Sequence, residues 1–280
     1  MGDLDVLICV GPRDVHQLMP YSVRSCIRYF EPLRRIVVVT SVVEDVRAVL
    51  KQFGLLSLEV PLLVLDDREV LPSSLYELPG WCRQQMIRLH VDQICAGPAI
   101  VSLSADTIIC RPVTRAHLFR DEVPILYFNR YSHISSHLNY ERQRVRNVAR
   151  LLDVSPTRSL PLGDFIMDLK VLESHYLQEL RRYLAHLHGA NPFATIVPRQ
   201  CDSLAERASF GEWTLYAVFL LDVLGVNVPV RNSRNRFVAQ VHSRREFDAF
   251  PFDARVVHFV DKSFTVPTLY PWLLEWGLAS

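Results

Sequence analysis

Ala99-Ile100-Val101-Ser102-Leu103-Ser104-Ala105-Asp106-Thr107 is the stretch on which the fold of this 280-residue chain turns. Its first five residues form an apolar run of strand length, and a carboxylate, Asp106, follows directly after. In an open α/β sheet, ligands gather in the crevice outside the carboxyl ends of the strands, so Asp106 stands where chemistry is expected. A lone Asp in a turn can also simply cap that turn.

Outward from this run, strand and helix signals alternate. Leu4–Val10, Arg35–Thr40 and Leu58–Leu65 read as buried strands. Helices are expected from Pro20 to about Phe30, over Val43–Phe53 and over Trp81–Cys95. In the second of these, Val43, Val46, Val49, Leu50 and Phe53 fall at helical spacing and Gly54 can close it. Such alternation predicts βαβ units and a mainly parallel sheet flanked by helices. Beyond Arg111 the pattern loosens into a strand over Val123–Phe128, a charged helix over Tyr140–Leu152 and a short apolar segment, Phe165–Leu169. A helix to about Leu187, an irregular Asn191–Ala208, an apolar helix Glu212–Leu224 and a last strand, Arg255–Val260, complete it. The expected fold class is α/β, one domain over 1–280 with a sheet-building half (1–112) and an elaborated half (113–280).

Composition narrows the function classes. Apolar residues at 49 % and charged residues at 22 % describe an ordinary globular chain. A formal charge of +1 argues against nucleic acid as a partner, because such a domain is normally strongly basic. The six cysteines form no Cys-x-x-Cys pair and several lie in apolar runs, where they act as small hydrophobes. Asp3 and Asp5 interrupt any hydrophobic leader, and Asp222 and Pro229 break the longest apolar span, Leu215–Val230. No transmembrane segment and a reducing, cytoplasmic setting are therefore expected. Neither common glycine-rich phosphate loop is present.

Gly80-Trp81-Cys82-Arg83-Gln84-Gln85-Met86-Ile87-Arg88-Leu89 is the most specific stretch. On a helix Trp81, Gln84, Gln85 and Arg88 share one side, beside an apolar stripe. An indole, two amides and a guanidinium on one edge suit a sugar or phosphate; a solvated polar face is the plainer role. Glu212, at the start of an apolar helix, and Asp164, beside Gly163, are the candidate catalytic carboxylates. Glu212 also suits the positive end of the helix dipole. Thr40, Ser41 and Asp66, at strand ends, are candidate ligand-binding residues. His258 sits in the last apolar strand, with Lys262 four residues on.

Two resemblances join these residues. Ser104-Ala105-Asp106 resembles the Asp-x-Asp metal motif of GT-A glycosyltransferases, with Ser104 where the first Asp is usual. His258-Phe259 with Lys262 and Tyr270-Pro271-Trp272 resembles the C-terminal His-Phe segment of retaining members, in departed spacing. Gly80-Trp81 with Gln84-Gln85, Leu18-Met19-Pro20-Tyr21 and Gly211-Glu212-Trp213-Thr214-Leu215-Tyr216 resemble the bacterial DUF6492 glycosyltransferase-like family over nearly the whole chain. The resemblance implies a GT-A-like fold whose first half binds a nucleotide-diphosphate sugar and whose second half binds an acceptor, a glycan or small molecule. It implies Mn or Mg at Asp106 and His258, and phosphate binding by Lys262. Glu212 would act as base or acceptor anchor, and Thr40, Ser41, Asp66, Trp81, Gln84, Gln85 and Arg88 would bind the donor. The contrasting expectation is a non-catalytic module that binds a nucleotide sugar or glycan without turnover.

Overall fold

The computed structural model describes residues 4–131, 135–166, 168–196, 210–232, 237–241, 254–259 and 264–279. The chain is a mixed α/β protein. β1 (Leu4–Val10), β2 (Leu33–Thr40), β3 (Leu62–Asp66) and β4 (Ala99–Ser104) pair in parallel in the order β3-β2-β1-β4. β9 (Lys170–Glu173) adds to β4 antiparallel. β1 is buried at every position, which explains its near-continuous apolar reading; its one charge, Asp5, is paired with Arg34 and Arg35 at 2.9 and 2.7 Å.

Alternate residues of these strands feed two cores. Val6, Ile8, Ile36 and Val38 pack beneath α1 (Met19–Tyr29) and α2 (Val43–Gln52). Leu7, Cys9, Val37 and Ile100 face α4 (Gly80–Leu89), α6 (Ser135–Leu151), α7 (Ser174–His188) and α9 (Glu212–Val218). Burying both sheet faces in this way makes a three-layer arrangement.

Smaller sheets frame one end. β5 (Thr107–Ile109) pairs antiparallel with β12 (Val256–Phe259), which runs parallel to β11 (Val238–Val241). α10 (Val266–Glu275) covers them with Leu269 and Leu273. β6 (Phe119–Arg120) and β7 (Val123–Pro124) form a hairpin whose turn residues, Asp121 and Glu122, both have positive φ. That is the turn hand that matches strand twist. β8 (Leu126–Phe128) pairs with β10 (Val230–Asn232). Short helices α3 (Asp67–Val70), α5 (Arg115–Leu118) and α8 (Pro192–Ile196) complete the described elements.

Several expectations are corrected. The helix read over Trp81–Cys95 stops at Leu89, because the His90 ring contacts the Met86 carbonyl at 2.8 Å and its N–H turns to Ile87. The strand over Val123–Phe128 splits at Pro124 into β7 and β8. Lys170–Glu173, read as the start of a helix, is an edge strand, since a buried lysine masks its apolar pattern. The helix beginning at Glu212 passes into a π turn at Phe219–Val223. Cys9, Cys26, Cys95 and Cys110 are buried free thiols, and Cys82 is disulfide-bonded. No described helix is long and apolar enough to cross a membrane.

Candidate functional site

A cleft of about 290 Å³ opens where β1 and β4 end, lined by Cys9, Asp14, Trp81, Gln84, Arg88, Ser104, Asp106, Arg144, Asp168, Glu212, Trp213 and His258 among others. Its volume is near the lower end for small-molecule pockets.

Strand register brings its two distant halves together. Asp106 occupies the turn between β4 and β5, and His258 pairs with Thr107 across β12 and β5. The Phe259 N–H donates to the Asp106 carbonyl at 3.1 Å, which fixes His258 beside that turn. His258 Nε2 lies 3.5 Å from Asp106 Oδ1, and Nδ1 lies 2.7 Å from Asp168 Oδ2. Burial alone would depress the imidazole pKa. The Asp168 carboxylate, with hydrogen bonding to Asp106 and Asp168, overrides it and pushes the pKa up to about 10. Burial pushes Asp168 the other way, but the His258 charge wins and holds it below the usual carboxylate range.

A second group joins the first through Ser104. The Ser104 hydroxyl donates to Asp168 and accepts from Arg88 at 3.1 Å. Arg88 also donates to Glu212 at 2.7 Å, with both side chains buried, and its guanidinium stacks 5.1 Å from the Trp213 ring centroid. Desolvation raises the Glu212 pKa, against the pull of Arg88. Gln85 accepts the Glu212 N–H at 3.2 Å and so satisfies an orphan donor at the α9 N-terminus. Glu212, Arg88, Ser104, Asp168, His258 and Asp106 thus form one continuous polar chain across the cleft floor. Cys9, buried nearby, is pushed up to about 11 by desolvation and is no thiolate nucleophile.

The family model described as "Family of unknown function (DUF6492)" matches residues 19–245, most of the chain. The chain belongs to DUF6492. No curated protein is detectably similar to it in sequence. The DUF6492 match takes in Trp81, Arg88, Asp106, Asp168 and Glu212, while His258 lies beyond it.

Of the residues singled out from sequence, Trp81, Gln84, Arg88, Asp106, Glu212 and His258 meet in this DUF6492 cleft. Gln85 stands behind it, holding Glu212. Thr40, Ser41 and Asp66 are not among the lining residues. Thr40 accepts the Val42 N–H through its hydroxyl at 3.2 Å, and Asp66 caps α3 by accepting the Arg68 N–H at 2.8 Å. Asp164 lies outside the lining too, bound to Arg144 at 2.8 and 3.0 Å. A Cβ on Gly163 would collide with the Asn129 carbonyl, so the glycine permits the close pairing of Asn129 with Asp164. Lys262 lies outside the described residues.

Sequence reading missed Asp168 and took Arg144, on the charged helix, for solvated surface, whereas it lines the cleft. Asp168 had a signal: a carboxylate inside Phe165-Ile166-Met167-Asp168-Leu169 must find a partner if that segment is buried. Among the described residues no group of three or more His, Cys, Asp or Glu side chains is disposed to hold a metal ion.

Proposed function

We propose that this chain is a GT-A-like glycosyltransferase that moves a sugar from a nucleotide-diphosphate donor to a glycan or small-molecule acceptor. The observation that carries the reading is the convergence of Asp106 and His258 at the carboxyl edge of a parallel run of strands, Nε2 and Oδ1 3.5 Å apart. Their donor set fits Mn or Mg, which accept oxygen and imidazole ligands.

Charge supports the same reading. The lining carries four carboxylates, Asp14, Asp106, Asp168 and Glu212, against Arg88, Arg144 and the His258 imidazole. Both arginines are already paired, to Glu212 and Asp164. A diphosphate entering such a cleft meets net negative charge, so a bridging cation favours binding more than free arginines do. When bound, a divalent ion supplies Lewis-acid stabilisation of the departing diphosphate.

The chain's own residues take the remaining tasks. Asp106 and His258 hold the cation. Trp81 and Gln84 present an indole and an amide at the cleft to the sugar. Thr40, Ser41 and Asp66 lie further along the same carboxyl edge, where the nucleoside would extend. Glu212 accepts or orients the acceptor hydroxyl proton, its proton affinity raised by burial.

The tie from Arg88 to Glu212 also favours a second reading, a non-catalytic module that binds a nucleotide sugar or glycan, because that pair leaves the carboxylate occupied. One experiment addresses both. A thermal-shift panel of nucleotide sugars with Mn²⁺, followed by transfer assays, should give a metal-dependent rise in Tm and sugar transfer. Asp106→Ala should keep the fold and lose both. Near-normal transfer by that variant removes the reading; binding by the wild type without transfer or hydrolysis on a broad acceptor panel selects the module.

A further inference from the structure

A second cavity, of about 190 Å³, lies where α7 and α8 meet the Ser73–Leu75 turn and the end of α4. It shares no lining residue with the cleft. Protein interiors seldom leave voids much larger than a water molecule. This one persists because three side chains around it, Ala185, Ala190 and Ala194, are too short to fill it. Leu75 and Phe193, both buried, supply apolar wall. His90 also lines it and is only 5 % exposed, yet one of its two ring nitrogens is unmet. Nδ1 lies 2.8 Å from the Met86 carbonyl, which can only accept, so Nδ1 carries the ring proton. Burial holds the imidazole pKa below its ordinary value, which keeps the ring neutral. Nε2 points away from the helix and is a lone pair without a hydrogen-bond donor among the described residues. Arg181, on the same wall, is neutralised: its two terminal nitrogens each donate to Asp92 at 2.7 Å.

We propose that this cavity is a binding site for a small uncharged molecule, the size of a phenol, with one hydroxyl donor on an apolar body. His90 Nε2 accepts the hydroxyl, while Leu75, Phe193 and the three alanines enclose the rest. The size is suitable, since an apolar cavity of about 150 Å³ holds benzene. Phe193 already meets the His90 ring edge-on, at 5.6 Å between centroids, and can do the same for an aromatic guest. Charge selects against ions of both signs. Asp92 occupies the Arg181 fork, so an anionic guest meets a carboxylate already in place. Among the described residues no acidic side chain lines the cavity to hold a cation. A guest of the same shape without a donor leaves Nε2 covered and unpaired, which costs it affinity. The site goes beyond the glycosyltransferase reading and does not depend on it.

The test titrates the full chain with phenol, anisole and benzoate by calorimetry. Phenol should bind saturably at one site, in the millimolar range or tighter. Anisole keeps the ring but has no donor, and should bind roughly tenfold more weakly or worse. Benzoate should bind no better than anisole. In ¹⁵N spectra of the wild type, phenol should move the His90 Nε2 resonance, identified through the contact of that ring with Phe193. Ala185→Leu fills the space and should abolish phenol binding at an unchanged circular dichroism spectrum. A wild type that does not bind phenol overturns the proposal, as does equal affinity for phenol and anisole or tighter binding of benzoate. Wild-type phenol affinity in a folded Ala185→Leu places the guest elsewhere and overturns it too. Should Ala185→Leu fail to fold, the wild-type spectra decide: phenol binding that leaves His90 Nε2 unmoved rejects this site.

Discussion

Two arginine–carboxylate pairs border the cleft, and they differ in what lies behind each arginine. Arg88–Glu212 has side chains 8 % and 5 % exposed, and Arg88 carries the connection onward through Ser104 to Asp168, His258 and Asp106. Arg144–Asp164 is wetter, at 16 % and 9 %, and both of its carboxylate contacts go to a single arginine nitrogen. Asp164 is also committed through its backbone, exchanging N–H···O bonds of 2.8 Å with Asn129. The comparison teaches that a carboxylate beside a glycine is not a site by itself. The first pair belongs to a network that reaches the cleft floor; the second pins α6 to the Asn129 bridge.

The difference breaks most visibly in turnover. Glu212→Gln keeps size and polarity, so donor affinity should persist while transfer falls by roughly two to four orders of magnitude, the usual worth of a positioned base. Asp164→Asn should retain most of its turnover, because nothing places that carboxylate in the lining. Equal loss in both variants, measured in the same transfer assay, would erase the distinction between the pairs.

Stability should separate them next. Arg88→Met leaves Glu212 buried without its counter-charge, and removing one partner of a buried pair costs roughly 3–5 kcal/mol. Arg144→Met removes charged hydrogen bonds from a pair that water partly reaches, which costs about 1.5–3 kcal/mol. Urea unfolding of both variants checks the order. A reversed ranking would mean that the Asn129–Asp164 junction, not the cleft floor, is the stiffer part of the molecule.

These contrasts also mark how far the sequence could be read. β1, β2 and β4 are legible because strands buried on both faces carry near-continuous apolar runs, and α2 because its apolar residues keep helical spacing. Asp106 and Glu212 were locatable as the first polar groups after a strand and at a helix start. What no periodicity reveals is strand order. With β3-β2-β1-β4, the ends of β2 and β3 fall about 10 Å and about 14 Å from β4 at ordinary strand spacing. Thr40, Ser41 and Asp66 thus share the edge but not the cleft. Asp168 and Lys170 were hidden for the opposite reason: Asp168 lies in the bend just before a short edge strand and Lys170 within it, and no periodicity marks a buried polar side chain there. His258 was named on a resemblance, and only the β5–β12 register brings it to Asp106.

Lys170 sharpens the comparison from the side of an unpaired cation. It lies on the same sheet face, almost fully buried, donates to the Tyr127 carbonyl at 2.7 Å and sits 5.7 Å from the Phe165 ring centroid. Desolvation dominates over the more distant carboxylates and lowers its pKa to about 7. In the unfolded chain the same amine titrates near its ordinary value of about 10.4. Between these two values the unfolded state holds a proton that the folded state lacks, so this lysine makes stability rise with pH from about 7 to about 10.4. Below about 7 the full cost of a buried ammonium is carried. The slope it contributes is at most about 1.4 kcal/mol per pH unit. Lys170→Met should remove that slope, so the gap in unfolding free energy between variant and wild type moves in the wild type's favour as pH rises from 7 to 10. Parallel stability curves across that range would show that Lys170 stays charged, held by the carboxylates above it as Arg88 is held by Glu212.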